Sequence, residues 1–256
     1  MASLTRLIGV LLITAIALFL MLAAKPGAAP APALARKAVI VELFTSEGCS
    51  SCPPADELLG RLRQEGPDGV EVVTLGFHVD YWNYLGWQDR FSAAAYSKRQ
   101  ETYAQLFRTE GPYTPQMIVD GEEEFVGSDA SRARRAIAQA AAQPAAANID
   151  LSWAATDKLL VRVNAHDLNS GDVFVAITED NLSSRINAGE NNGHTLHHSA
   201  VVREFRRIGQ LQKGNFEAGV PFKFDQGWKR GDLRVVVLVQ TGRDGKIQGL
   251  ASAAPK

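Results

Sequence analysis

Two cysteines, Cys49 and Cys52, are the whole thiol inventory of the 256-residue chain, and they stand together as Cys49-Ser50-Ser51-Cys52. A pair at this spacing can cycle between dithiol and disulfide, staple a loop, or supply part of a metal site. The apolar run Val39-Ile40-Val41-Glu42-Leu43-Phe44 precedes the pair and Pro53-Pro54 follows it. A strand therefore ends, Thr45-Ser46-Glu47-Gly48 turns, and a helix opens on the two prolines, which lack N–H donors and are tolerated only in a first turn. Unpaired N–H groups and the positive helix end favour a thiolate on Cys49, the outer sulfur, with Cys52 one turn inward as the resolving thiol. Glu47, Asp56 and Glu57 add negative charge beside it, so the thiol acidity is expected to be moderate. No second Cys-x-x-Cys completes a zinc set. No metal and no cofactor are expected, and the main alternatives are a copper-handling protein or a binding module with a structural disulfide.

Several polar residues are candidates to assist. Glu42 alternates with Val41 and Leu43 and either lies beneath the site, relaying a proton to or from Cys52, or faces solvent at the strand end. His78 and Asp80 end a second strand, where they either tune the thiol or orient a loop. Trp82, with Tyr81, Tyr84 and Trp87, either floors a groove for an apolar peptide or covers the sheet edge. The stretch from Glu179 to His198 reads as a long polar loop holding His194, His197 and His198. These could bind copper or zinc, or could pair with backbone and contact the first half.

The elements that position these groups fall into two halves. Val39 to Phe44 reads as a strand, Ala55 to Gln64 as a helix and Gly69 to Phe77 as a second strand, a right-handed βαβ unit with Cys49 and His78 at neighbouring carboxyl ends. A helix from Phe91 to Phe107 follows. Thr114-Pro115 opens a hairpin of Met117 to Val119 and Glu124 to Gly127, and a last helix capped by Ser128 or Asp129 runs to Ala142. A cis bond at Pro115 would set a backbone edge beside the sulfurs, with Thr114 free to pair with an incoming chain. Past an Ala/Gln/Pro linker, strands at Asn148 to Trp153, Leu159 to Ala165, Asp172 to Thr178, Val220 to Phe224 and Leu233 to Gln240 alternate apolar and polar residues, as in a small all-β sandwich.

Residues 42 to 56 and 113 to 116, with the order of elements around them, resemble the thioredoxin fold. They are most similar to a family of exported bacterial thioredoxin-like proteins of uncharacterised function. The resemblance implies Cys49 as the attacking sulfur, Cys52 as the resolving sulfur and Pro115 as the cis proline. Glu42 stands one residue further from the first cysteine than the buried acid of thioredoxins, and the Ser50-Ser51 dipeptide differs from that of the well-studied oxidoreductases. The expected architecture is an α/β thioredoxin-like domain at 36–143 followed by an all-β sandwich-like domain at 148–256.

Leu7 to Ala24 is an almost unbroken apolar run of 18 residues. Ala33-Leu34-Ala35 and Ala29-Pro30-Ala31 offer cleavage motifs, so residues 1–35 read as a signal peptide or N-terminal anchor of a periplasmic or secreted protein. A net charge of −1 and no basic stripe argue against nucleic acid. The expected partners are exported proteins with thiols or disulfides and an unidentified redox partner, with membrane contact only through the N-terminal segment.

Overall fold

Strand β1 (Lys37–Thr45) is apolar on both faces because both faces are covered and both edges are paired. It runs parallel to β2 (Val70–His78), with Val39 opposite Val72, and antiparallel to β3 (Gln116–Val119), with Leu43 opposite Met117. The computed structural model describes residues 37–256; the segment 1–35, where the signal peptide or anchor is expected, lies outside them. Helix α1 (Pro53–Leu62) makes the crossover and buries Ala55, Leu58, Leu59 and Leu62. After a short turn at Asn83–Leu85 come α2 (Ala94–Phe107), the hairpin of β3 with β4 (Glu123–Val126), and α3 (Ala130–Ala142), whose first turn is capped by the Asp129 carboxylate accepting from the Arg132 N–H. Side chains alternate across β1. Val39, Val41 and Leu43 pack with α1 and α3, whereas Ile40 and Phe44 pack on the other face with Tyr96 and Tyr103 of α2.

The remaining chain is strands: β5 (Ala147–Ala155), β6 (Lys158–Ala165), β7 (Asp172–Glu179), β8 (Leu182–Arg185), β9 (Thr195–His198), β10 (Val201–Gln210), β11 (Asn215–Pro221), β12 (Leu233–Gln240) and β13 (Ile247–Ala253). An eight-stranded mixed sheet has the order β13-β12-β7-β10-β2-β1-β3-β4. A three-stranded sheet, β11-β6-β5, lays Leu159, Val161 and Val163 against Val173, Val175, Ile177, Val235 and Val237 of the large one.

The change of character at 143–148 is a change of secondary-structure type inside one compact unit, Arg36–Lys256. Strand β10, which no alternation in the sequence announces, comes alongside β2. The Gly76 N–H donates to the Ala200 carbonyl at 2.8 Å, and a Cβ at Gly76 would stand 3.4 Å from the Ser199 carbonyl oxygen, so the close approach suits glycine. One apolar core then joins both halves, with Phe44, Leu75 and Phe77 against Ala176, Val202, Val236 and Leu238. Among the described residues no helix is long and apolar enough to cross a membrane.

Candidate functional site

Cys49 and Cys52 are joined in a disulfide. Cys52 is the N-cap of α1 and Pro53-Pro54 fill its first positions, so Cys49 lies just before the helix, in a turn where its N–H donates to the Ser46 carbonyl. Neither cysteine has exposed surface, at 0% each, although Ser50 and Ser51 between them are exposed. The outer sulfur expected at Cys49 is thus covered. The segment between β8 and β9 reaches over the motif: Asn191 Nδ2 donates to the carbonyls of Glu47 at 2.8 Å and Cys49 at 3.0 Å, and Glu190 accepts from the Ser50 N–H and hydroxyl at 3.0 and 2.7 Å. The stretch read as a long loop is therefore a short hairpin, β8 paired with β9, carrying a strap onto the disulfide.

Behind the strap lies a buried polar cluster. His78 Nδ1 meets Asp89 Oδ2 at 2.7 Å, and that oxygen also accepts from the Glu47 N–H at 2.9 Å, while Asp89 Oδ1 accepts from the Phe91 N–H. His198 Nε2 meets Glu47 Oε1 at 3.1 Å, and Trp87 Nε1 donates to Glu47 Oε2 at 2.8 Å. The two imidazoles stand edge to face, 5.0 Å between centroids. Burial opposes charge on His78, but the carboxylates of Asp89, Asp56 and Glu47 together outweigh it and raise the imidazole above its usual value. Burial likewise opposes charge on Asp89 and Glu47; the charge and hydrogen bond of His78 hold Asp89 low, and hydrogen bonds from His198 and Trp87 help to hold Glu47 low. Asp56 on α1 is half-buried, and burial raises its carboxyl to about 6 against the opposing pull of His198 and His78.

Other expected residues are placed differently. Glu42 is fully buried, neither facing solvent nor beneath the sulfurs. It shares the face of Ile40 and Phe44, opposite α1, and is held by Arg99 Nε at 2.6 Å, Arg99 Nη2 at 2.8 Å and the Tyr103 hydroxyl at 2.6 Å. Six residues lie between it and Cys49, and the two-residue period of the strand turns it to the far side. Asp80 pairs with Ser97 rather than with His78. His194 and His197 are exposed while His198 is buried, so the three histidines diverge; among the described residues no group of three or more His, Cys, Asp or Glu is set to hold a metal ion.

The Thr114–Pro115 bond is cis. Pro115 is buried beside Gly127, whose added Cβ would lie 3.2 Å from Pro115 Cβ and 3.1 Å from Ala55 Cβ on α1, placing the proline loop against the start of the helix. Trp82 spans the two loops: its Nε1 donates to the Thr114 hydroxyl at 2.8 Å, and its Cβ would stand 3.2 Å from a Cβ at Gly48. Asp89, Asn191 and Glu190 carry no sequence signal that joins them to the cysteines. They lie up to 144 residues from their partners, and only the Asx pattern Asp89-Arg90-Phe91 gives a local sign.

These features define a mixed α/β protein whose single disulfide sits between a helix N-terminus and a strap from the far half of the chain. The chain belongs to the DUF1223 family, described as a protein of unknown function, which it matches over residues 40–240. It is similar to a crystal structure of a protein from Agrobacterium tumefaciens, with 27% identity and a TM-score of 0.70 over 85% of this chain and 94% of that one. HBP35 of Porphyromonas gingivalis shares the fold at 18% identity, with a TM-score of 0.57 over 86% of this chain and 75% of its own. No curated protein matches the chain.

Proposed function

We propose that the protein is an exported thiol–disulfide oxidoreductase with a thioredoxin-like first half, acting through Cys49 and Cys52 on other exported proteins. The observation that carries this reading is the Cys49–Cys52 disulfide at the mouth of α1, tied through Trp82 to the cis Thr114–Pro115 loop. The parallel β1/β2 pair with its crossover helix and the antiparallel β3–β4 hairpin support the thioredoxin-like assignment. Export rests on the apolar segment from Leu7 to Ala24.

In the exchange, a substrate thiolate attacks Cys49 Sγ, the S–S bond breaks, and its electron pair leaves on Cys52. A second substrate thiolate then displaces Cys49 from the mixed disulfide, and the substrate leaves oxidised while Cys49 and Cys52 are reduced; the reverse sequence reduces substrate. Thr114 and Trp82 would border the incoming chain. The burial of both sulfurs favours one rival, a binding module in which the disulfide is structural.

The reduction potential separates the two. Equilibrated in glutathione and dithiothreitol buffers, an exchanging pair is half-reduced well above about −300 mV, whereas a structural bridge resists reduction below that value. Cys52→Ser should also capture mixed disulfides through Cys49, and a wild-type pair that stays oxidised in those buffers, together with no partner captured by Cys52→Ser, overturns the oxidoreductase reading.

A further inference from the structure

Opening the disulfide leaves a proton to be placed. The thiolate released on Cys52 has no exposed surface, so a neighbouring group must protonate it, and the same group must take the proton back before Cys52 can attack. Cys52 has helical backbone angles, φ −79° and ψ −36°, and the Asp56 N–H donates to its carbonyl at 3.1 Å. Asp56 therefore stands one turn on, on the same face, with Cβ atoms roughly 5–6 Å apart.

Around it lie His198 of β9, His78 of β2, and Glu47 and Asp89, the carboxylates that hold those imidazoles. Both oxygens of Glu47 and of Asp89 are committed to those partners and to Trp87 and Phe91, and Glu42 is locked to Arg99 on the other sheet face. His198 is 4% exposed, and its Nδ1 is buried without a hydrogen-bond partner.

Resting on the exchange reading, we propose that Asp56 is the group that exchanges the proton with Cys52 and that His198, supplied by the second half of the chain, is the positioning residue that sets the charge of Asp56. The steps balance. Attack on Cys49 releases the Cys52 thiolate, the Asp56 carboxyl gives its proton to that sulfur, and the Asp56 carboxylate remains. In the reverse direction the carboxylate takes the proton from the Cys52 thiol as its sulfur attacks the mixed disulfide and the substrate thiolate leaves. The burial that raises Asp56 to about 6 brings its carboxyl toward the range where one group serves as both donor and acceptor.

The test follows one step in the full chain. Reduced protein is mixed with dithiobis(nitrobenzoate), and the thionitrobenzoate expelled from Cys49 by Cys52 is timed by stopped-flow absorbance from about pH 4 to about pH 9. In the wild type the rate should rise through the Asp56 ionisation. Asp56→Asn should abolish that limb and slow release on the order of a hundredfold at neutral pH, with partial rescue by Asp56→Glu. His198→Gln should move the limb to higher pH, because positive charge on His198 pulls the Asp56 carboxyl down. An unchanged limb in Asp56→Asn overturns the proposal, as does an unshifted limb in His198→Gln, which carries the test should Asp56→Asn fail to fold. Wild-type protein that never expels the reporter sinks the exchange reading itself.

Discussion

Removing the Asn191 side chain should unlock the disulfide. Its amide makes two buried hydrogen bonds, to the carbonyls of Glu47 and Cys49. At about 1 kcal/mol each, the pair holds the strap closed by about 2 kcal/mol, and that energy corresponds to about a thirtyfold change in the population with the strap displaced. Both sulfurs are fully covered, so a small dithiol must wait for that displacement, and its rate follows the open population when reclosing is fast. Asn191→Ala should therefore be reduced by dithiothreitol on the order of thirtyfold faster than wild type, read by quenched alkylation and mass spectrometry. Glu190→Ala should have a much smaller effect, since its bonds to Ser50 are exposed to water. Urea unfolding measured in parallel separates strap opening from global loss of stability. A wild-type reduction rate in Asn191→Ala, with the fold intact, would refute the claim that this strap controls access.

Two further predictions concern the buried charges. Arg99→Met leaves the Glu42 carboxylate without its cationic partner in a closed core and should cost about 3–5 kcal/mol in urea denaturation, with much of the loss recovered in the Glu42→Leu/Arg99→Met double variant; a loss under about 1 kcal/mol would show that the pair is not closed off from water. For His78 the sign follows from its raised imidazole: the stability it contributes is present below 6.5 and is lost as pH rises through the folded value, while the lowered Asp89 carboxyl removes its share as pH falls below 3.8. The stability gap between wild type and His78→Gln should thus be widest between about pH 4 and about pH 6.5, and urea midpoints showing a gap that widens toward alkaline pH would reverse the assignment.

Local signals made the first half legible. The run ending at Phe44, the double proline, the Thr114-Pro115 step and the Asp129 cap each act within a few residues, and their elements formed within a residue or two of expectation. Strand β10 was not legible, because Val201–Gln210 interleaves Phe205 and Ile208 with Arg203, Arg206 and Arg207 and shows no clean alternation. Those arginines are accommodated by partners remote in sequence: Arg203 lies over the rings of Phe91 and Trp228, and Arg207 pairs with Asp172. The strand expected at Val220 to Phe224 is also displaced, with β11 at Asn215–Pro221 pairing along β6 instead. At the site, the cysteines could be found from spacing alone. Glu42 could be found as a buried acid but not as Arg99's partner, since one residue of phase decides which face it serves.

The two halves need each other for a physical reason that the linker read at 140–147 conceals. Without the second half, β2 would present an unpaired edge, and the rings of Phe44 and Phe77 would lose Phe205, Ala176 and Val202 as neighbours. Gln240 of β12 reaches the same interior, accepting from Arg99 Nη1 at 3.1 Å and donating to the Tyr103 hydroxyl at 2.9 Å, so the lock on Glu42 also spans both halves. At the opposite end of that seam, β9 and the strap bring His198, Glu190 and Asn191 to the cysteine loop. The pairing that completes the core therefore also fixes where the strap lands. A βαβ unit carrying a disulfide acquires, in this chain, a strap and part of its titratable surroundings from more than a hundred residues away.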